Sequence, residues 1–436
     1  MGNYQTIANL TDNGPCILKI LLELPCEIGI NDVTPQTFNV YVERRNKTTG
    51  EIVMQKDYMT MERKISKGYR EVVKAYPCDA SGKVCARSHM AALEMKFEPL
   101  GRPIEGDVMA SGYIDCVYRI TQLAPLPEET VGLVFDTCIK AVTPEIEGWQ
   151  QGKAEFEGVT LGYGYFTPDM ENYRHPKPNM FGVAAKAPEN PKVPLVVYLH
   201  GAGEGGNDPL VAYTGNKVAA LSWPDIQRKL GGAAYILTPQ CPTVWMDDGV
   251  EKLGHSNRSI YVKPLKACID WFISEHIEDI DTDRIYIGGL SNGGFMTMRM
   301  LFDYPEMFAA ALPACQVFYS DNMTDEMLES IKHIPIWFAH SKDDPIVPPL
   351  ETAVPLYLRL KTAGADNVHM TYFDYIEDLS GMFKDELGRP MKYFGHAVWI
   401  HVFNDDCKVD FDGGRVIEGD EPVTMWEWAG KQILNK

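Results

Sequence analysis

The stretch that decides the reading is "RIYIGGLSNGGFM", Arg284–Met296, in which four glycines surround one serine. Gly289-Leu290-Ser291-Asn292-Gly293 satisfies G-x-S-x-G, directly after a run with strand character and directly before the helical-looking "NGGFMTMRMLFDY". A serine presented on such a turn sits in a tight, strained conformation, and side chains two residues to either side would collide with it. Gly289 and Gly293 occupy those positions. A phosphate loop would need a lysine after the glycines, and a dinucleotide loop would need G-x-G-x-x-G. "GGLSNGG" supplies neither.

A nucleophile elbow needs partners, and they occur in order along the chain. Upstream, "YLHGAGEGGND" (Tyr198–Asp208) ends a buried strand pattern with a glycine-rich loop. Acyl transfer requires two N–H donors aimed at the developing oxyanion, one from the residue after the nucleophile and one from this loop. The donors expected are the backbones of Asn292 and Ala202. Downstream, "FAHSKDDPIVP" offers an acid, Asp344, 53 residues after Ser291 (291 to 344), with Asp343 as a minor rival. His396 in "YFGHAVW" lies 52 residues further on (344 to 396), on a glycine-marked loop. The order Ser, Asp, His is that of α/β-hydrolases and not of chymotrypsin or subtilisin. Other histidines fit less well: His369 lies inside a strand pattern, His340 precedes the acid, and His401 lacks the glycine turn.

Around this constellation the chain reads as two halves. Residues 1–142 carry short strands with period-two alternation, such as "TFNVYVERR" with Phe38, Val40 and Val42 on one face, separated by turn segments. That pattern predicts an immunoglobulin-like β-sandwich, though all eight tryptophans lie from Trp149 onward, so the Cys, Trp, Cys core of an antibody domain is missing. Residues 143–157 read as a linker. From 158 to 436 nearly continuous apolar strands alternate with helical stretches, including one over 262–280 and a closing helix in "VTMWEWAGKQIL", which predicts a mostly parallel, doubly wound sheet.

Composition narrows the partners. The 436 residues carry 60 acidic and 41 basic side chains, a formal charge of −19, with no basic cluster to meet a phosphate backbone. Neither nucleic acid nor a membrane is expected as a partner. Ten scattered cysteines form no CxxC pair, which fits buried thiols in a reducing compartment better than a disulfide frame or a zinc site. No basic region followed by an apolar one opens the sequence, so a cytoplasmic location is expected. The acidic "DDCKVDFDGG" lacks the EF-hand pattern and reads as a solvated loop. No metal or other cofactor is expected.

Together, "LHGAGEGGND", "GLSNGG", "HSKDDPIVP" and "GHAVW" resemble bacterial α/β-hydrolase esterases of the dienelactone-hydrolase, feruloyl-esterase and "predicted peptidase" neighbourhood, in particular those with an N-terminal immunoglobulin-like domain. The resemblance implies a serine carboxylic-ester hydrolase acting on small acyl or aromatic esters, acetyl or hydroxycinnamoyl in type, through Ser291, His396 and Asp344. The family's H-G-x-x-D-x-x-V-P pattern places the acid on Asp344, with Ser341 where the glycine is usual. The expected partner is a small-molecule ester, plant-derived esters included, and a homo-oligomer is an open option. Trp245, Tyr393 and Phe394 are candidate substrate-binding aromatics, with Trp399 divided between that role and the core. A prolyl-oligopeptidase-like serine peptidase and a catalytically inactive binding protein remain the alternatives. Specificity does not carry over through the insertions 376–394 and 401–421.

Overall fold

A computed structural model describes residues 2–56, 62–107, 109–128, 131–177 and 186–434. The chain forms two compact units, Met1–Glu105 with Gly112–Glu147, and Gly106–Ser111 with Gly148–Lys436.

Among its described residues the first unit has no α-helix. Eight strands form one hydrogen-bonded sheet, in the order Lys67–Arg70, Phe38–Arg45, Asp115–Gln122, Val134–Val142, Gly2–Thr11, Gly14–Gly29, Arg87–Met95, Val72–Pro77. Val40 and Val42, near one end of that order, share a core with Leu22 and Leu93 near the other, so the sheet curls over to enclose its apolar face. This is how the sandwich expected from the alternation is built. Phe38, Val40 and Val42 point inward as their spacing predicts, and the next inward position is Arg44. Its buried guanidinium pairs with Glu105 at 2.8 Å and donates to the carbonyls of Arg102 and Ile104. Burying a charge is tolerated only with such partners.

The second unit is an eight-stranded mixed sheet. Its strands are β1 (Trp149–Phe156), β2 (Val159–Phe166), β3 (Val193–Leu199), β4 (Tyr235–Gln240), β5 (Ile280–Leu290), β6 (Ala310–Ala314), β7 (Ile336–Ser341) and β8 (Val368–Phe373). They lie in the order β1-β2-β4-β3-β5-β6-β7-β8, antiparallel up to the β2–β4 pair and parallel from there on. Every residue of β3, β4 and β7 is buried, which is why these strands read as nearly continuous apolar runs. Helices α1 (Val262–Glu275), α2 (Asn292–Asp303) and α3 (Ala353–Thr362) are among the connections, and α4 (Trp399–Phe403) and α5 (Met425–Ala429) follow β8. α1 sets Leu265, Cys268, Ile269 and Phe272 into the core through its apolar stripe.

Three boundaries differ from the sequence reading. Residues 149–156 are not linker but edge strand β1, paired residue for residue with β2. The helix expected over 262–280 stops at Glu275, because Ile280 already starts β5. The closing helix is only the five residues of α5, capped by Thr424 and Glu427 in a reciprocal box. In addition, residues 106–111, expected within the first domain, cluster with the second unit, where the Ser111 N–H donates to the Gly205 carbonyl at 3.3 Å.

Candidate active site

In an open sheet of this kind the loops at the carboxyl ends of the parallel strands gather on one side, and that is where ligands bind. Ser291 sits between β5 and α2 with φ 54 and ψ −114, a left-handed backbone that a side chain seldom adopts. Its N–H donates to the Ala314 carbonyl at the end of β6, and its carbonyl accepts from Phe295 in the first turn of α2. The flanking glycines are sterically required. A Cβ on Gly289 would stand 2.5 Å from the Gly293 backbone, and one on Gly293 would stand 2.1 Å from the Leu199 carbonyl oxygen. Gly294 serves a further contact, since its Cβ would meet the Ala314 oxygen at 2.8 Å.

The structure brings the three expected side chains together. His396 Nε2 is 2.9 Å from Ser291 Oγ, and His396 Nδ1 is 2.8 Å from Asp344 Oδ2. His396 lies in a short 3-10 turn, Gly395–Ala397. The glycine before it is needed because a Cβ there would lie 2.2 Å from Asp343 Oδ1. Asp343, the rival acid, is exposed and accepts the Ser341 hydroxyl instead of a histidine. Asp344 is buried in the turn after β7, where its Oδ1 accepts the N–H groups of Ile346 and Val347, both at 2.9 Å. Burial alone would raise this carboxyl's pKa. Hydrogen bonds from His340 and His396, the charge on His396 and the Val347 N–H outweigh it and hold the group well below the usual carboxylate range.

Comparisons with known proteins bear on the same two units. Residues 3–131 match the family model for the esterase Ig-like N-terminal domain, and residues 245–339 match the prolyl oligopeptidase family. A solved structure described as a thermostable esterase superimposes with a TM-score of 0.69 at 24% identity, covering 99% of each chain. Acyl-protein thioesterase 1 of Cryptococcus neoformans var. neoformans serotype D, in two strains, is 24% identical over 178 residues, which is 37% of this chain and 70% of the relative. The chain has the α/β-hydrolase fold, with an immunoglobulin-like N-terminal domain.

Within the α/β-hydrolase-fold unit, the two expected N–H donors begin short helical segments. Asn292 is the first residue of α2 and Ala202 the first of a 3-10 turn, Ala202–Glu204, positions whose N–H groups have no intrahelical acceptor. His200 anchors the second of these loops, a role its sequence position did not announce. Burial lowers its pKa to about 4, against the opposing bond to Gly201, so the ring is neutral at pH 7. Nε2 accepts the Cys241 N–H at 3.2 Å, which leaves Nδ1 to donate to the Gly201 carbonyl at 2.6 Å.

The substrate-binding expectations divide. Trp245 is fully buried, with its ring against His200 and Tyr261, so it presents no free surface to a substrate. Its backbone N–H instead donates to Asn292 Oδ1, tying this loop to the elbow. Tyr393 lies on a small hairpin, Ile376–Glu377 with Lys392–Tyr393, and its hydroxyl donates to Asp378 at 3.1 Å. Phe394 is half exposed, and its ring centroid lies 5.9 Å from that of His396. Trp399 meets the same histidine edge-on at 5.7 Å. A cleft of about 670 Å³ lined by Arg258, Lys263, Arg299 and Tyr304 includes none of Ser291, Asp344 and His396. Among the described residues no group of three or more His, Cys, Asp or Glu is placed to hold a metal ion, and no helix is long and apolar enough to cross a membrane.

Proposed function

We propose that the chain hydrolyses carboxylic esters with a small acyl or aromatic acyl group, through a Ser291-His396-Asp344 triad and an acyl-enzyme intermediate. The observation that carries this reading is the unbroken hydrogen-bonded line from Ser291 Oγ through both ring nitrogens of His396 to Asp344. His396 takes the hydroxyl proton at Nε2 as Ser291 Oγ attacks the ester carbonyl, and Asp344 holds the ring in the required tautomer and stabilises the imidazolium. The carbonyl oxygen becomes an oxyanion facing the N–H groups of Ala202 and Asn292. Collapse passes the proton from His396 to the departing alcohol. Water, deprotonated by the same nitrogen, then releases the acid and regenerates the serine.

An apolar acyl or aryl group suits the exposed side chains on the loops that carry the histidine and the acid. Phe394 is 50% exposed two residues before His396, and Ile346 is 60% exposed two residues after Asp344. Burying such surfaces under a substrate is favourable by about 25 cal/mol per Å². Amide hydrolysis is the second reading, supported by the prolyl oligopeptidase match over residues 245–339, since the same groups cleave either bond.

The test combines a fluorophosphonate label with a substrate panel. Ser291 of the wild type is expected to take the label, and Ser291→Ala is expected to lose at least about 10⁴-fold in ester turnover while keeping the fold. Retained turnover in that variant would end the proposal. Across aryl esters, short acyl esters, an acyl thioester and prolyl peptides, faster cleavage of the peptides would shift the assignment to peptidase.

A further inference from the structure

Asp344 Oδ2 is shared by two histidines. His396 Nδ1 approaches it at 2.8 Å, and His340 Nε2, from the end of β7, at 3.1 Å. His340 is fully buried, and the same Nε2 lies 3.1 Å from the Val347 carbonyl oxygen. Both neighbours are acceptors, so Nε2 carries the proton. Nδ1, with no hydrogen-bond partner among the described residues, carries only its lone pair.

We infer that His340 is a positioning residue for the proposed triad: its Nε2–H fixes the rotamer of Asp344 and draws charge from the oxygen that faces His396. The inference rests on the catalytic reading of Ser291, His396 and Asp344. Asp344 then receives four donors, the N–H groups of Ile346 and Val347 on Oδ1 and the two imidazoles on Oδ2. Such a carboxylate neither rotates nor takes up a proton readily, and each donor makes it a weaker partner for an imidazolium. The other titratable groups nearby do not substitute for it. Burial raises the Cys315 thiol well above its ordinary pKa, so it is uncharged beside Asp344. Asp343 is engaged by the Ser341 hydroxyl.

Two matched amide substitutions test the position of this donor. Glutamine can place its Nε2 where the histidine Nε2 stands, whereas asparagine is one methylene shorter and does not reach Asp344. His340→Gln is expected to stay within about threefold of wild-type kcat for an aryl ester, and His340→Asn to lose about tenfold or more with little change in KM. The acid limb of the kcat/KM profile in His340→Asn is expected to move up by about half a pH unit, because a carboxylate with one donor fewer stabilises the protonated form of His396 better. Equal kcat and superimposable pH profiles for the two variants would overturn the inference. Should neither variant fold, the wild-type proton NMR spectrum decides: two downfield imidazole N–H resonances on one carboxylate are expected, and a single one refutes the shared carboxylate. Fluorophosphonate labelling of wild-type Ser291 reports separately on the triad reading, so the two failures are distinguishable.

Discussion

The backbone at Ser291 makes a prediction that is independent of catalysis. At φ 54 and ψ −114 the residue lies far from the left-handed minimum that L-residues tolerate, near φ +57 and ψ +47. Holding a Cβ in such a region costs about 1 to 3 kcal/mol. Glycine escapes that cost, though its freer unfolded chain gives back about 0.4 to 1 kcal/mol relative to alanine. Ser291→Ala keeps the Cβ, Ser291→Gly removes it, and both lose the bond to His396 Nε2, so that loss cancels between them. Ser291→Gly should therefore be the more stable of two inactive variants by about 1 to 2 kcal/mol. In a unit of this size that is about 2 to 3 °C in Tm. Differential scanning calorimetry of the two variants in one buffer is the assay. If Ser291→Gly melts at or below Ser291→Ala, the elbow is unstrained and the account of its glycines needs revision.

Two more expectations follow from the site. The His200 pKa is about 4 in the fold against 6.5 for the free side chain, so the unfolded chain binds the proton first as pH falls. The stability this group contributes is complete above pH 6.5 and is lost on the way to pH 4, about 3 kcal/mol in all. Urea unfolding of the wild type and of His200→Gln at pH 7, 5.5 and 4 should show the wild type losing about that much more; parallel losses would mean that His200 is not a buried neutral ring. Phe394→Ala should raise KM for aryl esters about fivefold with kcat nearly unchanged, the effect of about 1 kcal/mol from covering a half-exposed ring. An unchanged KM would move the acyl site elsewhere.

What could be read in the chain was local. The elbow, the HGAG loop and the glycine before His396 are each confined to a few residues at a strand end, so their residue types already carry the steric and electrostatic requirement. What could not be read depended on tertiary partners. Trp245 looks like a binding-site aromatic in its loop, and only the packing of His200 and Tyr261 around it makes it core. "WQQGKAEF" looks like linker because an edge strand is held through its backbone, with half its side chains in solvent. Chain order excluded His340 as the general base, yet the turn after β7 folds back to put its Nε2 on Asp344 four residues later.

The three groups of the site owe their positions to different parts of the fold. Ser291 is set by a backbone turn whose clearance comes from Gly289 and Gly293. Asp344 is set by the N–H groups of its own turn and by β7, and His396 by a 3-10 turn that Gly395 lets lie against Asp343. None of these supports includes the Ser291 hydroxyl. Removing that hydroxyl should leave Asp344 and His396 where they are, so loss of turnover in Ser291→Ala would measure the missing nucleophile and not a collapsed site. The charge of Asp344 is supported in the same way: against burial, His340 and His396 hold the carboxyl acidic from Oδ2, and the N–H groups of Ile346 and Val347 are already in place on Oδ1 before His396 takes up a proton. A site arranged in this way needs little reorganisation when charge develops during attack, and that is the physical content of electrostatic preorganisation.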